Sequence, residues 1–297
     1  MKVLITGSNG LLGQSLTTIF ERESDYEIIQ TSFEDESYLM YGYPYEKLDI
    51  TKKEDVKRIV DFYEPEVIVN CAAYTNVDKC ETERELSWKI NVDGVKNLII
   101  AARRNNSRII HYSTDYVFDG RSGPYSEDSV PNPISFYGRE KLASENAFIT
   151  SDIDFAIIRT MVLYGVGNSI KPNFALWFID ELRNNRPVNI VTDQIGNYTM
   201  IDDLSFGTLK LIEKNLKGIY NIAGLDIISR YDFVLKACEV FNLNKDLVKP
   251  VITASLNQPA PRPLKSGLTT FKMQSELGFT PMDSLEGLRL LKYQLGY

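Results

Sequence analysis

Tyr137 and Lys141 stand four residues apart in the run "FYGREKLASE". That spacing sets both side chains on one face of a helix, one above the other. A free tyrosine hydroxyl titrates near ~10, and an ammonium beside it favours the phenolate and lowers that value. Such a tyrosine can give its proton to an oxygen that gains charge as a hydride reaches a carbonyl carbon. Thr114, at the end of the upstream run "RIIHYST", has a hydroxyl that can hydrogen-bond the same oxygen. Asp115 and Tyr116 follow it directly. The chain has one histidine, His111. A Ser-His-Asp triad, a histidine dyad and a multi-histidine metal site are thereby excluded or poorly supported, and acid–base work falls to Tyr, Lys, Asp or Glu. His111 itself reads as a hydrogen-bonded strand residue. Cys71, Cys80 and Cys238 show no CxxC spacing, so neither a zinc site nor a disulfide framework is expected.

A second group of residues could hold a phosphate-bearing cofactor. "LITGSNGLLGQSL" sets Gly7, Gly10 and Gly13 directly after an apolar run and at the opening of a helix. In a strand-turn-helix the first glycine permits the turn, the second lets the backbone approach a pyrophosphate, and the third lets the helix pack on the sheet. The helix N-terminus then faces the phosphate charge. The second strand ends near Gln30, Thr31 and Ser32, where an acid would select NAD and an arginine NADP. Neither is there, although Glu34 and Asp35 follow. The small hydroxyls leave room for a 2′-phosphate, so NADP(H) is expected, with NAD(H) possible. Asp49 in "KLDIT" can reach an adenine or cap the helix that starts near Lys52. Ala72 and Ala73, after "EVIVN", permit close approach of a ligand. Asn91, in "KINVDGVKN", either braces the site or is an ordinary helix polar position.

The elements that must position these groups alternate. Strand patterns at 2–6, 26–32, 66–73, 108–114 and 155–160 are interleaved with helical patterns at 10–23, 52–63, 83–105 and 137–149. That alternation implies α/β architecture: a doubly wound parallel sheet of the Rossmann type, with ligands at the carboxyl ends of its strands. Beyond residue 160 the pattern loosens, with helices expected at 171–184, 202–215, 229–242 and 283–294 and strands near 188–191 and 218–222. The expected division is an NAD(P)-binding domain over 1–160 and a mainly substrate-binding domain over 161–297, with 202–222 packing back on the first sheet. "NQPAPRPLKSG" (257–267) reads as an extended surface or pocket-lining segment.

The chain has 297 residues, 43% of them hydrophobic, and a net charge of −7. This acidic balance argues against nucleic acid and against an anionic membrane surface as partners. No run approaches the ~18 apolar residues of a membrane span, and "MKVLITGSNG" has no signal-peptide core. A cytoplasmic protein is expected.

The motifs "GSNGLLG", "NCAAYTNVDKCE", "INVDGVKNL", "HYSTDYVFDG" and "YGREK", with "RTMVLYG", "TDQIGNYT" and "APRPLKSGL", resemble those of an extended short-chain dehydrogenase/reductase, more narrowly the dTDP-4-dehydrorhamnose reductase group. The resemblance covers nearly the whole chain. It implies NAD(P)H-dependent reduction of the 4-keto group of a nucleotide-linked 6-deoxy sugar, in cell-surface polysaccharide biosynthesis. Tyr137 would be the general acid, Lys141 its tuner and the nicotinamide-ribose anchor, and Thr114 the third member of the set. Gly7, Asn9, Gly10, Leu11 and Leu12 would line the pyrophosphate. Asp49 and Ile50 would contact adenine, and Ala72, Ala73 and Tyr74 the ribose and nicotinamide. Thr114, Asp115, Tyr116, Asn173 and Arg262 would face the sugar nucleotide. No metal is implied, and a homodimer is open. Two departures fall on the sugar side: Val162 stands where the group usually has tryptophan, and Tyr198-Thr199 where it usually has Pro-Thr. The β subunit of methionine adenosyltransferase, a regulatory cofactor-binding partner, shares the fold and much of "PYSEDSVPNP". A nucleotide-sugar epimerase or dehydratase is the other reading, since Asp115 follows Thr114.

Overall fold

A computed structural model describes residues 1–39 and 41–297. Seven parallel strands form the central sheet in the order β11-β6-β5-β4-β1-β2-β3. The first six and the helices between them are β1 (Lys2–Thr6), α1 (Leu11–Glu23), β2 (Glu27–Ser32), β3 (Tyr45–Lys47), α2 (Lys53–Tyr63), β4 (Val67–Asn70), α3 (Val77–Thr82), α4 (Arg84–Trp88), α5 (Val95–Asn105), β5 (Arg108–Thr114), α6 (Phe136–Ile149) and β6 (Phe155–Thr160). Strands β1, β4 and β6 are mostly apolar, β5 sets Ile109, Ile110 and Tyr112 among polar residues, and all four are buried on both faces. Helices cover each face: Leu16, Phe20, Leu204 and Leu209 pack on one, and Ile59, Val95, Leu98 and Phe148 on the other. The strand order reverses between β1 and β4, which opens a crevice beyond their carboxyl ends.

The remainder comprises β7 (Leu163–Tyr164), α7 (Phe174–Arg183), β8 (Val188–Val191), β9 (Ile195–Asn197), β10 (Thr199–Met200), α8 (Ile201–Glu213), β11 (Gly218–Asn221), β12 (Ile227–Ser229), α9 (Arg230–Phe241), β13 (Val248–Val251), α10 (Phe271–Leu277) and α11 (Ser284–Gln294). β11 pairs in parallel with β6, and the Ser205 hydroxyl of α8 donates to Ser15 of α1 at 2.8 Å. The other short strands make three two-stranded sheets around a separate core, in which Tyr198 stacks on Phe233 at 4.0 Å.

The structure corrects the sequence reading in several places. The helix expected over 83–105 forms as one unbroken helical run, but it contains an unforeseen wider π-helical turn, Lys89–Gly94, between α4 and α5. The fourth strand stops at Asn70, not at 73. β3, α10 and most of the two-residue and three-residue strands carry too little periodicity to be read from residue type. The segment that follows Thr114 is tied down by backbone bonds. Gly123 N–H donates to the Lys265 carbonyl, and Tyr125 N–H to Gly267. The proline-rich stretch is therefore clamped between this segment and β9, whose Ile195 N–H donates to the Leu264 carbonyl.

Candidate active site

The carboxyl ends of β1, β4, β5 and β6 open on one cavity of about 520 Å³. Of the residues singled out in the sequence, Gly7, Gly10, Leu11, Leu12, Ala72, Ala73, Thr114, Asp115, Tyr116, Tyr137 and Lys141 line it. Residues scattered over more than a hundred positions meet there because the parallel register aligns the strand ends: Thr6 lies beside Asn70, Asn70 beside His111, and Thr114 beside Thr160.

Tyr137 is placed by the start of α6. The Ser135 side chain caps that helix by accepting from Gly138 N–H at 3.1 Å. Gly138 has to be glycine, because a Cβ there would lie 2.2 Å from the Tyr116 carbonyl oxygen. This contact brings the first turn of α6 onto the turn that follows Thr114, and the Tyr116 and Tyr137 rings meet edge to face at 5.6 Å. Farther along, Arg159 of β6 holds α6 by two bonds to Glu145, at 3.0 and 2.7 Å, with both side chains almost fully buried.

Lys141 is 3% exposed, with Nζ 3.5 Å from His111 Nε2. A chain of polar groups backs it. Thr6 donates to Asn70 Oδ1 at 2.6 Å, and Asn70 Nδ2 reaches His111 Nδ1 at 3.1 Å. His111 Nε2 meets Ser144 Oγ at 3.0 Å, and the Ser144 hydroxyl donates to the Lys141 carbonyl at 2.7 Å. Since Ser144 uses its proton there, its oxygen accepts from Nε2–H, and Nδ1 accepts from Asn70. His111 is thus neutral and satisfied; burial first, then the Lys141 charge, hold it well below the usual histidine range.

Burial pushes the Tyr137 hydroxyl well above its ordinary value, and Asp115, Cys80, Tyr116 and Glu140 push it the same way. Burial lowers Lys141 to about 8, against the opposing pull of Glu145 and Glu140. The sequence reading had the ammonium lowering the tyrosine. In the protein alone Lys141 is not among the groups that shift Tyr137, and those that do all raise it, so Tyr137 keeps its proton at neutral pH, as a proton donor must. Asp115 is buried, accepts from the Thr114 hydroxyl at 3.0 Å, and is raised by burial.

The glycine loop forms a cradle. Gly7 has φ +64, and a Cβ on it would lie 2.9 Å from Ala72 N, so the loop turns hard against the end of β4. Helix α1 starts at Gly10 with no side-chain cap and no acid in its first turn. Its leading N–H groups are therefore left for an anion at the cavity wall. The Ser8 hydroxyl, buried in this loop, has no partner among the described residues. These features fit the pyrophosphate of a dinucleotide. At the end of β2, Ser32 donates to Glu34 at 2.5 Å and Asn9 Nδ2 lies 3.3 Å from the same carboxylate oxygen. Burial pushes the Glu34 carboxyl up, but bonds from Ser32, its own backbone N–H and Asn9 outweigh it and hold the group below its ordinary value.

Six of the expected residues are used elsewhere by their side chains. Asn9 braces the 34–38 segment, donating to the Glu36 carbonyl at 2.8 Å and accepting from Tyr38 N–H at 2.9 Å. Asp49 makes a local turn, accepting from Thr51 N–H at 3.0 Å and from its hydroxyl at 2.8 Å. Ile50 is buried against Gly94 in the π-helical turn. The Tyr74 hydroxyl donates to Glu83. Asn173 caps α7, accepting from Leu176 N–H at 3.2 Å. Arg262 is bound to Asp78 through both terminal nitrogens, at 2.7 and 2.8 Å. Asn91 does brace the region: it accepts from Tyr74 N–H at 2.8 Å and donates to Glu140 at 3.0 Å.

Sequence reading missed Arg230, Gln194 and Met161, all of which line the cavity. Val162 also lines it, with the unusual φ of +42. Among the described residues no group of three or more His, Cys, Asp or Glu is placed to hold a metal ion, and no helix is long and apolar enough to cross a membrane.

The chain is similar over nearly its whole length to proteins already known. A dTDP-4-dehydrorhamnose reductase from Aggregatibacter actinomycetemcomitans is 35% identical over 98% of each chain. The β subunit of methionine adenosyltransferase 2 from Xenopus tropicalis is 30% identical over 92% of this chain and 81% of its own. Among solved structures, a dTDP-4-dehydrorhamnose reductase from Clostridium acetobutylicum superposes with a TM-score of 0.90 at 34% identity over 100% of both chains. The corresponding enzyme from Bacillus anthracis, solved with NADP, gives 0.88 at 32% over 99% of both. The model of the RmlD substrate binding domain matches residues 1–293, and with these relatives it places the chain in the RmlD substrate binding domain family.

Proposed function

We propose that the protein is an NAD(P)H-dependent reductase of a nucleotide-linked 4-keto-6-deoxy sugar, with dTDP-4-dehydrorhamnose as the substrate and dTDP-L-rhamnose as the product. The observation that carries this reading is the meeting of Thr114, Tyr137 and Lys141 on one cavity wall with the uncapped start of α1. Residues 1–160 together with 202–222 hold the cofactor, and the rest of 161–297 shapes the sugar side. The α1 N-terminus and the Gly7 turn receive the pyrophosphate, and Lys141 anchors the ribose. When bound, a reduced nicotinamide supplies the hydride. Tyr137 gives its hydroxyl proton to the carbonyl oxygen as the carbon is reduced, so that the ketone becomes an alcohol. The Thr114 hydroxyl, which donates to Asp115 in the protein alone, turns its proton to that oxygen while charge develops on it. Relatives named as dTDP-4-dehydrorhamnose reductases, one of them solved with NADP, support this reading.

Incubation with dTDP-4-dehydrorhamnose and NADPH should consume NADPH, followed by its absorbance. Tyr137→Phe should lose turnover by about a hundredfold or more while NADPH affinity stays within twofold. Absence of turnover with this and related keto-sugar nucleotides would sink the proposal. The resemblance to the methionine adenosyltransferase β subunit supports a second reading, a cofactor-holding partner without turnover. Stoichiometric binding to a methionine adenosyltransferase, with no NADPH consumption, would favour it.

A further inference from the structure

Two arginines stand beside the cavity, and the fold treats them differently. Arg262 is neutralised by Asp78, which takes both of its terminal nitrogens, and its side chain is 9% exposed. Arg230 lines the cavity and has no carboxylate partner among the described residues. Its Nε donates to Gln194 Oε1 at 2.8 Å. Its guanidinium lies over the Phe174 ring, 4.7 Å from the centroid. These two contacts fix the plane of the fork and leave its two terminal nitrogens as unassigned donors. Arg230 is also the first residue of α9, whose cap, Ser229, accepts from Asp232 N–H at 3.0 Å, so its backbone is held as well. A planar, oriented guanidinium with free donors is suited to bidentate recognition of oxyanions.

The surroundings narrow the ligand further. The other charged residues on the cavity wall are Asp115 and Lys141. Lys141 lies at the cofactor end, against His111. Arg230 stands with Gln194, Tyr198 and Val162 on the wall built by the second half of the chain. Its charge is felt at Asp115 and Tyr116, where it offsets part of the effect of burial. The anion that Arg230 takes therefore lies at the wall built by the second half of the chain.

We propose that Arg230 binds the diphosphate of the nucleotide-linked substrate and so selects sugars activated as nucleoside diphosphates. The assignment rests on the reductase reading above, which supplies the substrate class. A sugar carboxylate offers the same oxyanion chemistry, and the experiment separates the two sources.

The full-length protein, saturated with NADP+, is titrated with dTDP, UDP and glucuronate by calorimetry. The wild type should bind both nucleoside diphosphates. A hydrogen bond to a charged group contributes enough that Arg230→Gln should weaken dTDP and UDP by roughly tenfold to a hundredfold. NADPH affinity should stay within twofold, and glucuronate should bind weakly and equally to both proteins. Arg230→Lys keeps the charge but loses the fork, so its loss should be smaller, about threefold to tenfold. If Arg230→Gln fails to bind NADPH it is misfolded, and the lysine variant decides by the same threshold. The proposal is overturned if the wild type binds neither diphosphate, if the folded variants bind them within twofold of the wild type, or if the loss falls on glucuronate alone. Because binding is read without turnover, a protein that reduces no keto sugar yet depends on Arg230 for dTDP refutes the reductase and not this assignment.

Discussion

Lys141 is the side chain whose charge state is set most delicately. It is buried, and burial brings it down to about 8, while Tyr137 is pushed far above neutrality. The ammonium is present below about pH 8 and lost above it. The tyrosine proton is held across the whole working range. The profile of kcat/KM, which reports the free enzyme, should therefore be flat through pH 6–7 and fall tenfold per unit above about 8. A profile flat to pH 10 would contradict the role given to Lys141. The sign for stability is separate. An unfolded lysine binds a proton up to about 10.4, and the folded one only up to about 8. This group thus costs stability below about 8, and the cost fades as pH rises from there towards 10.4. Val162 carries a different kind of stress. A β-branched residue at φ +42 is outside its comfortable backbone region, and its carbonyl is pinned by Thr199 N–H. Val162→Gly should stabilise the fold by roughly 1 kcal/mol, read from the urea midpoint. An unchanged or lowered midpoint would show that the side-chain packing outweighs the strain.

At the scale of elements, catalytic geometry depends on how α6 is seated. Its start rests on the Tyr116 carbonyl through Gly138, where an added Cβ would meet backbone at 2.2 Å. Backbone cannot swing aside as a side chain can. Gly138→Ala should shift Tyr137 by a few tenths of an ångström or more and cut kcat by about a hundredfold, while NADPH affinity, set largely by the glycine loop, changes little. A variant with wild-type kcat would refute this seating. The other end of α6 is held by Glu145 and Arg159. Glu145→Gln leaves a buried guanidinium without its counter-charge and should cost about 3–5 kcal/mol, whereas Glu145→Leu with Arg159→Met should recover most of that. Chemical denaturation of the three proteins checks the order. How much could be read from residue type follows the same physics. The central strands hold short apolar runs, such as "VIV" in β4 and "AII" in β6, and these, with the glycine loop, carry the sheet. The π-helical turn inside the 83–105 helix could not be read, because its Asn91 reaches Tyr74 and Glu140, partners far away in sequence. Arg262 and Arg230 look equivalent as residue types. Only the position of Asp78 makes one a structural clasp and leaves the other free at the cavity.

That clasp operates at the scale of the whole molecule. Asp78 belongs to α3, beside the central sheet, and Arg262 to the proline-rich strip from the other half of the chain. The carboxylate accepts from Ala260 N–H at 3.1 Å and from both terminal nitrogens of Arg262. The next residue, Pro263, lines the cavity. The strip is also pinned by Lys265 N–H donating to Gly120 and Ser266 N–H donating to Ile195. Loss of Asp78 should therefore free one end of it and leave the other attached. Asp78→Asn should speed hydrogen exchange at Ala260, with Lys265 and Ser266 protected as before. It should also raise KM for the nucleotide sugar by about tenfold, through a less ordered wall, with NADPH affinity within twofold. The Arg262 bond is the main cause holding the Asp78 carboxyl below its ordinary range, against the effect of burial. A carboxyl lowered on folding contributes stability above its unfolded value, about 3.9, and loses it as pH falls through the folded value. The wild type and Asp78→Asn should then differ in urea midpoint by a constant amount from pH 5 to 8, and the difference should shrink below about pH 4. A difference that instead persisted undiminished to pH 2 would show that the carboxylate charge contributes nothing, and that packing alone holds the strip over the cavity.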